Sequence, residues 1–173
     1  MIDILRKRRS IRRYENRPID EKSVDILKEA LLRSPSSRGI NPWNFIFVTD
    51  PGLLKKLSAA KEHGAAFLSG ASLGIIVCGD ESKSDAWIED CSIASIIVQL
   101  TAQSLKLGSC WIQIRNRKHS EDKTSENYIR ELFNLPEHIR IESIISIGYP
   151  AESKTLIPLN ELDYSKIRFD KES

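Results

Sequence analysis

The sequence predicts an α+β fold, or a mixed three-layer sandwich, formed by a single domain over residues 1–173. Three observations carry that reading. Stretches of helical and of strand periodicity interleave along the chain. The strand stretches are too few and too unevenly spaced for a doubly wound nucleotide fold, and no G-x-G-x-x-G accompanies them. A chain of 173 residues, 40% hydrophobic and 29% charged, has the size and composition to bury one core without disulfides or metals.

The elements follow in chain order. Ile2 and Leu5, followed by basic residues that complement a helix C-terminus, predict a short helix over 2–8. Pro18 pushes its predecessor out of the helical region, so "RSIRRYENRPI" is read as extended. Asp20 is placed to cap a helix over 21–34, where Val24, Leu27, Ala30 and Leu31 recur at helical spacing. "SPSSRGINP" (34–42) is a loop with backbone N–H groups and hydroxyls free for other partners. "WNFIFV" (43–48), "SLGIIVCG" (72–79), "GSCWIQIR" (108–115) and "IESIISIG" (141–148) are read as strands.

A long helix is expected over 85–107, about 35 Å at 1.5 Å per residue. Its Ile93, Ile96, Ile97, Val98 and Leu100 make a stripe wider than one core covers, as a central helix of a larger assembly would. "TSENYIRELFNL" (124–135) reads as a helix opening with a T/S-x-x-E-like cap. Residues 150–173 form a polar tail with apolar anchors Leu156, Ile157, Leu159, Ile167 and Phe169, and such a tail is expected to lie across something else.

Composition excludes several classes. No window approaches the ~20 apolar residues of a membrane helix, and the N-terminus turns basic almost at once, so the expectation is a cytoplasmic protein away from membranes. Cys78, Cys91 and Cys110 form no C-x-x-C pair and leave a thiol over in any disulfide scheme, which suits a reducing compartment. His63, His119 and His138 show no metal-ligand spacing, so no metal is expected. G-x-S-x-G and P-loop signatures are absent, removing the usual marks of acyl transfer and nucleotide hydrolysis. Chemistry would then have to come from a bound organic cofactor that carries a phosphate.

That expectation meets one local feature. A chain of net charge +2 concentrates Lys7, Arg8, Arg9, Arg12 and Arg13 around Ser10. Guanidinium forks and a hydroxyl on one short extended segment are the donors a phosphate monoester asks for. The rest of the chain carries fewer basic than acidic groups, so nucleic acid is not expected.

At this point "RRSIRRY", "SPSSRGINPWNF", "DCSIASIIVQLTAQSLKLGSCWIQ" and "SIGYPAESK", in this order, resemble four signatures of the nitroreductase family. The match spans Arg8 to about Lys154. It implies the family's three-layer α+β fold, a central mixed, mainly antiparallel sheet flanked by helices. It also implies a homodimer with FMN at the subunit interface and a C-terminal extension, 150–173, that crosses onto the partner. The implied activity is an NAD(P)H oxidoreductase. Hydride passes from NADH or NADPH through the flavin N5 to nitroaromatic, quinone or related acceptors, by ping-pong chemistry.

The resemblance also carries site residues. Arg8, Arg9, Ser10 and Arg12 match the segment that grips the FMN phosphate and ribityl chain, with Lys154 near a further phosphate cation. Pro35, Ser36, Ser37, Arg38 and Asn41 match the loop that the partner subunit offers to the flavin's pyrimidine edge. Asn41 stands where the family more often has Gln, and Gly39 where it often has Asn. Cys110, Trp111, Ile112 and Gln113 match the segment beside the ring. There Gln113 is the catalytic contact, through its backbone N–H toward N5. Two alternatives remain open at this level: a non-catalytic FMN-binding or sensor protein, and a flavin reductase or dehalogenase-type reaction on the same fold.

Overall fold

In the computed structural model, which describes residues 1–170, the strands pair in the order β1-β2-β4-β3. They are β1 (Trp43–Val48), β2 (Leu73–Asp80), β3 (Gly108–Gln113) and β4 (Ile139–Gly148). All three pairings are antiparallel. The parallel component is a single bridge, Ser10 to Ser109, made by the chain before the first long helix. The central strands are buried, β2 along its whole length and β4 from Ile141 to Gly148, as strands covered on both faces must be.

Helices cover the two faces. They are α1 (Ile2–Lys7), α2 (Glu21–Leu32), α3 (Pro51–Ser58), α4 (Trp87–Ser104) and α5 (Ser125–Leu132). One core gathers Leu54 and Leu57 of α3, Ile129 of α5 and Ile76, Ile112 and Ile144 of the sheet. The other gathers Leu27 and Leu31 of α2, Ala94 and Val98 of α4 and Ile75, Ile145 and Ile147. Alternate residues of each strand feed opposite cores, which is the physical content of a three-layer sandwich.

Several local expectations differ in detail. Asp20 caps α2 by accepting from Ser23 N at 2.9 Å, as expected. The helix over 51–58 was not anticipated, although Asp50 accepts from Leu53 N and Pro51 occupies its first turn. Helix α4 has 18 residues rather than the 23 expected, about 27 Å. It starts at Trp87, and Asp85, two residues earlier, pairs with Arg38. Its end comes where Lys106 adopts a left-handed φ of 61°.

At α5 the cap is Thr124, whose hydroxyl accepts from Asn127 N at 3.1 Å. The box position three residues after this cap is Asn127 rather than an acid, and the neighbouring Glu126 turns inward. Its carboxylate takes two hydrogen bonds from the Arg140 guanidinium and one from Ile141 N at 3.2 Å. Burial alone would push this carboxyl up, yet the Arg140 and Ile141 donors outweigh it and hold the carboxyl below its ordinary range.

Strand β4 also carries a bulge. Val77 faces Ser143 and Cys78 faces Ile141, which leaves Glu142 unmatched on β2 and aims its side chain at α4. There it is 3% exposed and accepts from Ser92 Oγ at 3.3 Å, with its second oxygen unpartnered among the described residues. Burial pushes its carboxyl up to about 7. The folded chain therefore holds a proton that the unfolded chain releases near pH 4.5, and stability falls as pH rises through 7, by on the order of 3 kcal/mol. Urea denaturation between pH 5 and 8 should show this slope, and Glu142→Gln should flatten it.

Candidate functional site: the arginine arm and the open edge of β3

The arm between α1 and α2 lies along β3 because two glycines leave room for it. Gly108 and Gly148 face each other in the β3–β4 register. A Cβ on Gly108 would sit 2.7 Å from Ile11 Cγ2, and one on Gly148 would sit 2.8 Å from Tyr14 Cδ1. Ile11 N donates to Ser109 O at 3.0 Å, and Glu15 N donates to Tyr149 O at 2.9 Å. The Tyr14 hydroxyl meets Ile11 O at 2.6 Å and Ser146 Oγ at 2.7 Å. Burial pushes that phenol well above its ordinary range, so it stays neutral.

Glu152 locks the arm from the other side. Its Oε1 accepts from Arg12 N at 2.6 Å and Arg13 N at 3.2 Å, while its Oε2 pairs with Lys154 Nζ at 2.8 Å. Lys154 first, and then the Arg12 amide, hold this carboxyl down to about 2. The backbone of the arm is thus fixed by an acid while its side chains stay free. Among the described residues, Arg8, Arg9 and Arg12 make no ion pair, and the Arg12 guanidinium lies 5.7 Å over the Phe67 ring.

Cys110 lies on the strand that the arm meets. Burial raises its thiol, and the nearby Arg12, the Ser10 hydroxyl and Arg8 pull it back. The structure therefore gathers Arg8, Ser10, Arg12, Cys110 and Lys154 around the start of β3. Arg9 follows on the same segment, half-buried.

Gln113 marks the other end of this strand. β3 is an edge strand, and Ile114 N donates inward to Glu142 O at 3.2 Å. The carbonyls of Ser109 and Gln113 point outward, to Ile11 N and to Lys61 Nζ at 3.4 Å. Antiparallel alternation then turns the Gln113 N–H out of the same open edge. Its side chain is already committed, accepting from Trp111 Nε1 at 3.0 Å and donating to Arg115 O at 3.0 Å. Trp111 itself packs against the α2/α4 core, and Ile112 is buried in the opposite one.

The loop with Pro35, Ser36, Ser37, Arg38 and Asn41 sits elsewhere. Asn41 N donates to Ser36 Oγ at 2.8 Å, and Ser37 N donates to Asp90 Oδ1 at 2.7 Å. Arg38 pairs with Asp85. Arg38, Gly39 and Asn41 all take left-handed φ, a shape held by Asp90 on α4, by Asp85 just before it and by the Ser36 hydroxyl within the loop. No hydrogen bond or ion pair among the described residues joins this loop to the arginine arm of the same chain.

Two site residues escaped the sequence. Lys61 reaches Gln113 across 52 positions with no motif to announce it. Glu152 lay inside "GYPAESK", and an acid two residues before Lys154 was the available signal.

Comparison with known proteins bears on this arrangement. The nitroreductase family pattern matches residues 5–66 and 54–149. A protein of Archaeoglobus fulgidus whose name pairs NADH dehydrogenase with NAD(P)H nitroreductase is 38% identical over 151 residues, covering 85% of this chain and 83% of its own length. A solved structure of an FMN-dependent nitroreductase from Clostridium difficile superposes with a TM-score of 0.97 at 43% identity, over 99% of this chain and 100% of that one. A second solved structure, from Parabacteroides distasonis, whose name pairs NADH dehydrogenase with NAD(P)H nitroreductase, gives 0.88 at 32% identity, over 98% and 96%. The three-layer fold, the arginine arm and these likenesses together place the chain in the nitroreductase family.

Proposed function

We propose that this chain is an FMN-dependent NAD(P)H oxidoreductase acting on nitroaromatic, quinone or related acceptors. The observation that carries it is the arginine arm, whose Arg8, Arg9 and Arg12 pair with no carboxylate among the described residues, laid against the same β3 edge that turns out the Gln113 N–H. The residues fit the cofactor: unpaired cations and a hydroxyl for a phosphate, and an uncommitted backbone donor for a ring nitrogen. FMN, when bound, supplies the ability to take a hydride from NADH or NADPH and to pass its electrons to the acceptor.

The chain's own part is binding and orientation. Arg8, Arg9, Ser10 and Arg12 would hold the phosphate and ribityl chain, with Lys154 adding charge. The Gln113 N–H would donate toward N5, and the Lys61 ammonium, 3.4 Å from Gln113 O, would favour negative charge on the ring. Cys110, Trp111 and Ile112 hold this strand in place.

The site also needs a second copy. The loop of Pro35 to Arg38 and Asn41 does not reach the arm of its own chain, and in a homodimer it would complete the partner's pocket. Support comes from apolar surface that one chain leaves bare: Ile93 and Ile96 on α4 are 38% and 39% exposed. In the tail, Leu156, Ile157, Leu159, Ile167 and Phe169 are 51–69% exposed. The open edge of β1 carries a groove of about 440 Å³ lined by Leu31, Leu32, Trp43, Phe45 and Phe47. Such surface belongs under a partner, and the tail from 150 onward has the anchors to fill it. Residues 171–173 of that extension lie outside the described residues. Free, buried Cys78, Cys91 and Cys110 accord with action in the cytoplasm. Among the described residues no helix is long and apolar enough to cross a membrane.

The visible spectrum of the purified protein, recorded anaerobically before and after NADH and then NADPH, tests the assignment. Flavin bands that bleach support it. Bands that persist indicate a flavin-binding protein without this activity, and a protein that stays colourless after incubation with FMN overturns the reading.

A further inference from the structure

We propose that Glu152 is a positioning residue for the cofactor: its carboxylate pre-forms the arginine arm for the FMN phosphate, although it brings a negative charge to the phosphate site. This rests on the flavin reading above and concerns the arm of that site.

Two backbone segments far apart in sequence clasp each other here. Tyr14 and Pro150 form an antiparallel bridge, and Ala151 N donates to Arg13 O at 2.9 Å. The next side chain, Glu152, returns the contact. Its Oε1 takes two successive amides, Arg12 N at 2.6 Å and Arg13 N at 3.2 Å, across 140 positions of sequence. The Glu152 side chain is only 14% exposed within this clasp.

That contact holds the middle of the arm. At one end Ile11 N is bound to Ser109 O, and at the other Glu15 N is bound to Tyr149 O. Between them the amides of Arg12 and Arg13 rest on the Glu152 carboxylate. Without that acceptor the backbone under the Arg12 guanidinium gains freedom, which a phosphate must remove again when it binds.

Simple electrostatics argues the other way. Glu152 Oε2 pairs with Lys154 Nζ at 2.8 Å and so cancels one of the charges assigned to the phosphate. If charge alone set the affinity, removing this acid would tighten FMN binding. The arm's shape sets it instead, because guanidinium forks are directional and bind a phosphate well only when their stems are held in place. The repulsion is also blunted, since one carboxylate oxygen is matched by Lys154 and the other by two amides.

Titration of the flavin-free protein with FMN and with riboflavin, which lacks the phosphate, tests this through flavin fluorescence. Glu152→Ala should weaken FMN about tenfold, the equivalent of one charge-assisted contact, and change riboflavin less than twofold. Glu152→Gln keeps an acceptor for the two amides and frees Lys154, so it should hold FMN within about threefold of the unaltered protein. A Glu152→Ala protein that binds FMN as tightly as before, or more tightly, overturns the proposal. So does a loss that falls equally on FMN and riboflavin, or a Glu152→Gln protein as weak as Glu152→Ala. The phosphate reading of the arm fails by a separate result, an unaltered protein that binds riboflavin as tightly as FMN.

Discussion

Replacing Arg8 and Arg12 together by alanine is expected to lower FMN affinity by roughly two to four orders of magnitude. Each charge-assisted contact to a phosphate contributes roughly 1.5–3 kcal/mol, and tenfold in affinity is about 1.4 kcal/mol. The fold should not suffer. Neither guanidinium is tied to a carboxylate among the described residues, and what fixes the arm is backbone: Arg12 N and Arg13 N on Glu152, and Ile11 N on Ser109. Alanine keeps those bonds, so the melting temperature of the flavin-free protein should stay within about 2 °C. Quenching of flavin fluorescence on titration gives the affinity. A loss below threefold would remove these arginines from the site, and Arg13→Ala is the control for mere loss of positive charge.

The largest stability loss is expected from Glu126→Ala. The carboxylate side chain is only 10% exposed, and it satisfies Arg140, Ile141 N and, at 3.4 Å, Arg130. Removing it leaves a half-buried guanidinium and a buried N–H without their acceptor. Breaking a buried pair in this way costs about 3–5 kcal/mol, and the low end applies because Glu81 still holds Arg140 at 2.8 Å. For a chain of this size the melting temperature should drop by roughly 6–12 °C. Glu126→Gln retains the shape and an acceptor for Ile141 N, so its loss should be smaller. Thermal unfolding that is unchanged in Glu126→Ala would show that the pair contributes nothing net.

The same pair illustrates what could be read from the chain and what could not. "TSENYIREL" announced a helix, and Thr124 does cap it. The inward turn of Glu126 was not legible, because its partner Arg140 lies 14 residues away on a strand. Helix α3 had its cap and its proline in "DPGLLKKLS", but eight residues make barely two turns, too few for a periodicity to stand out. Bounds were clearest where side chains alternate strongly, as in Trp43–Val48, which agrees residue for residue.

What the sequence determined by itself was the set of local elements other than α3, the basic arm around Ser10 and, through four ordered signatures, the family. Each depends on residues within a few positions of one another, where spacing along the chain is also spacing in space. Tertiary structure alone decided that Lys61 meets Gln113, that Glu152 locks Arg12, and that Gly108 and Gly148 admit Ile11 and Tyr14. It also decided that the Pro35–Asn41 loop stays away from the arm of its own chain. Such meetings follow from how a β1-β2-β4-β3 sheet brings distant strands side by side, and no local period encodes that order.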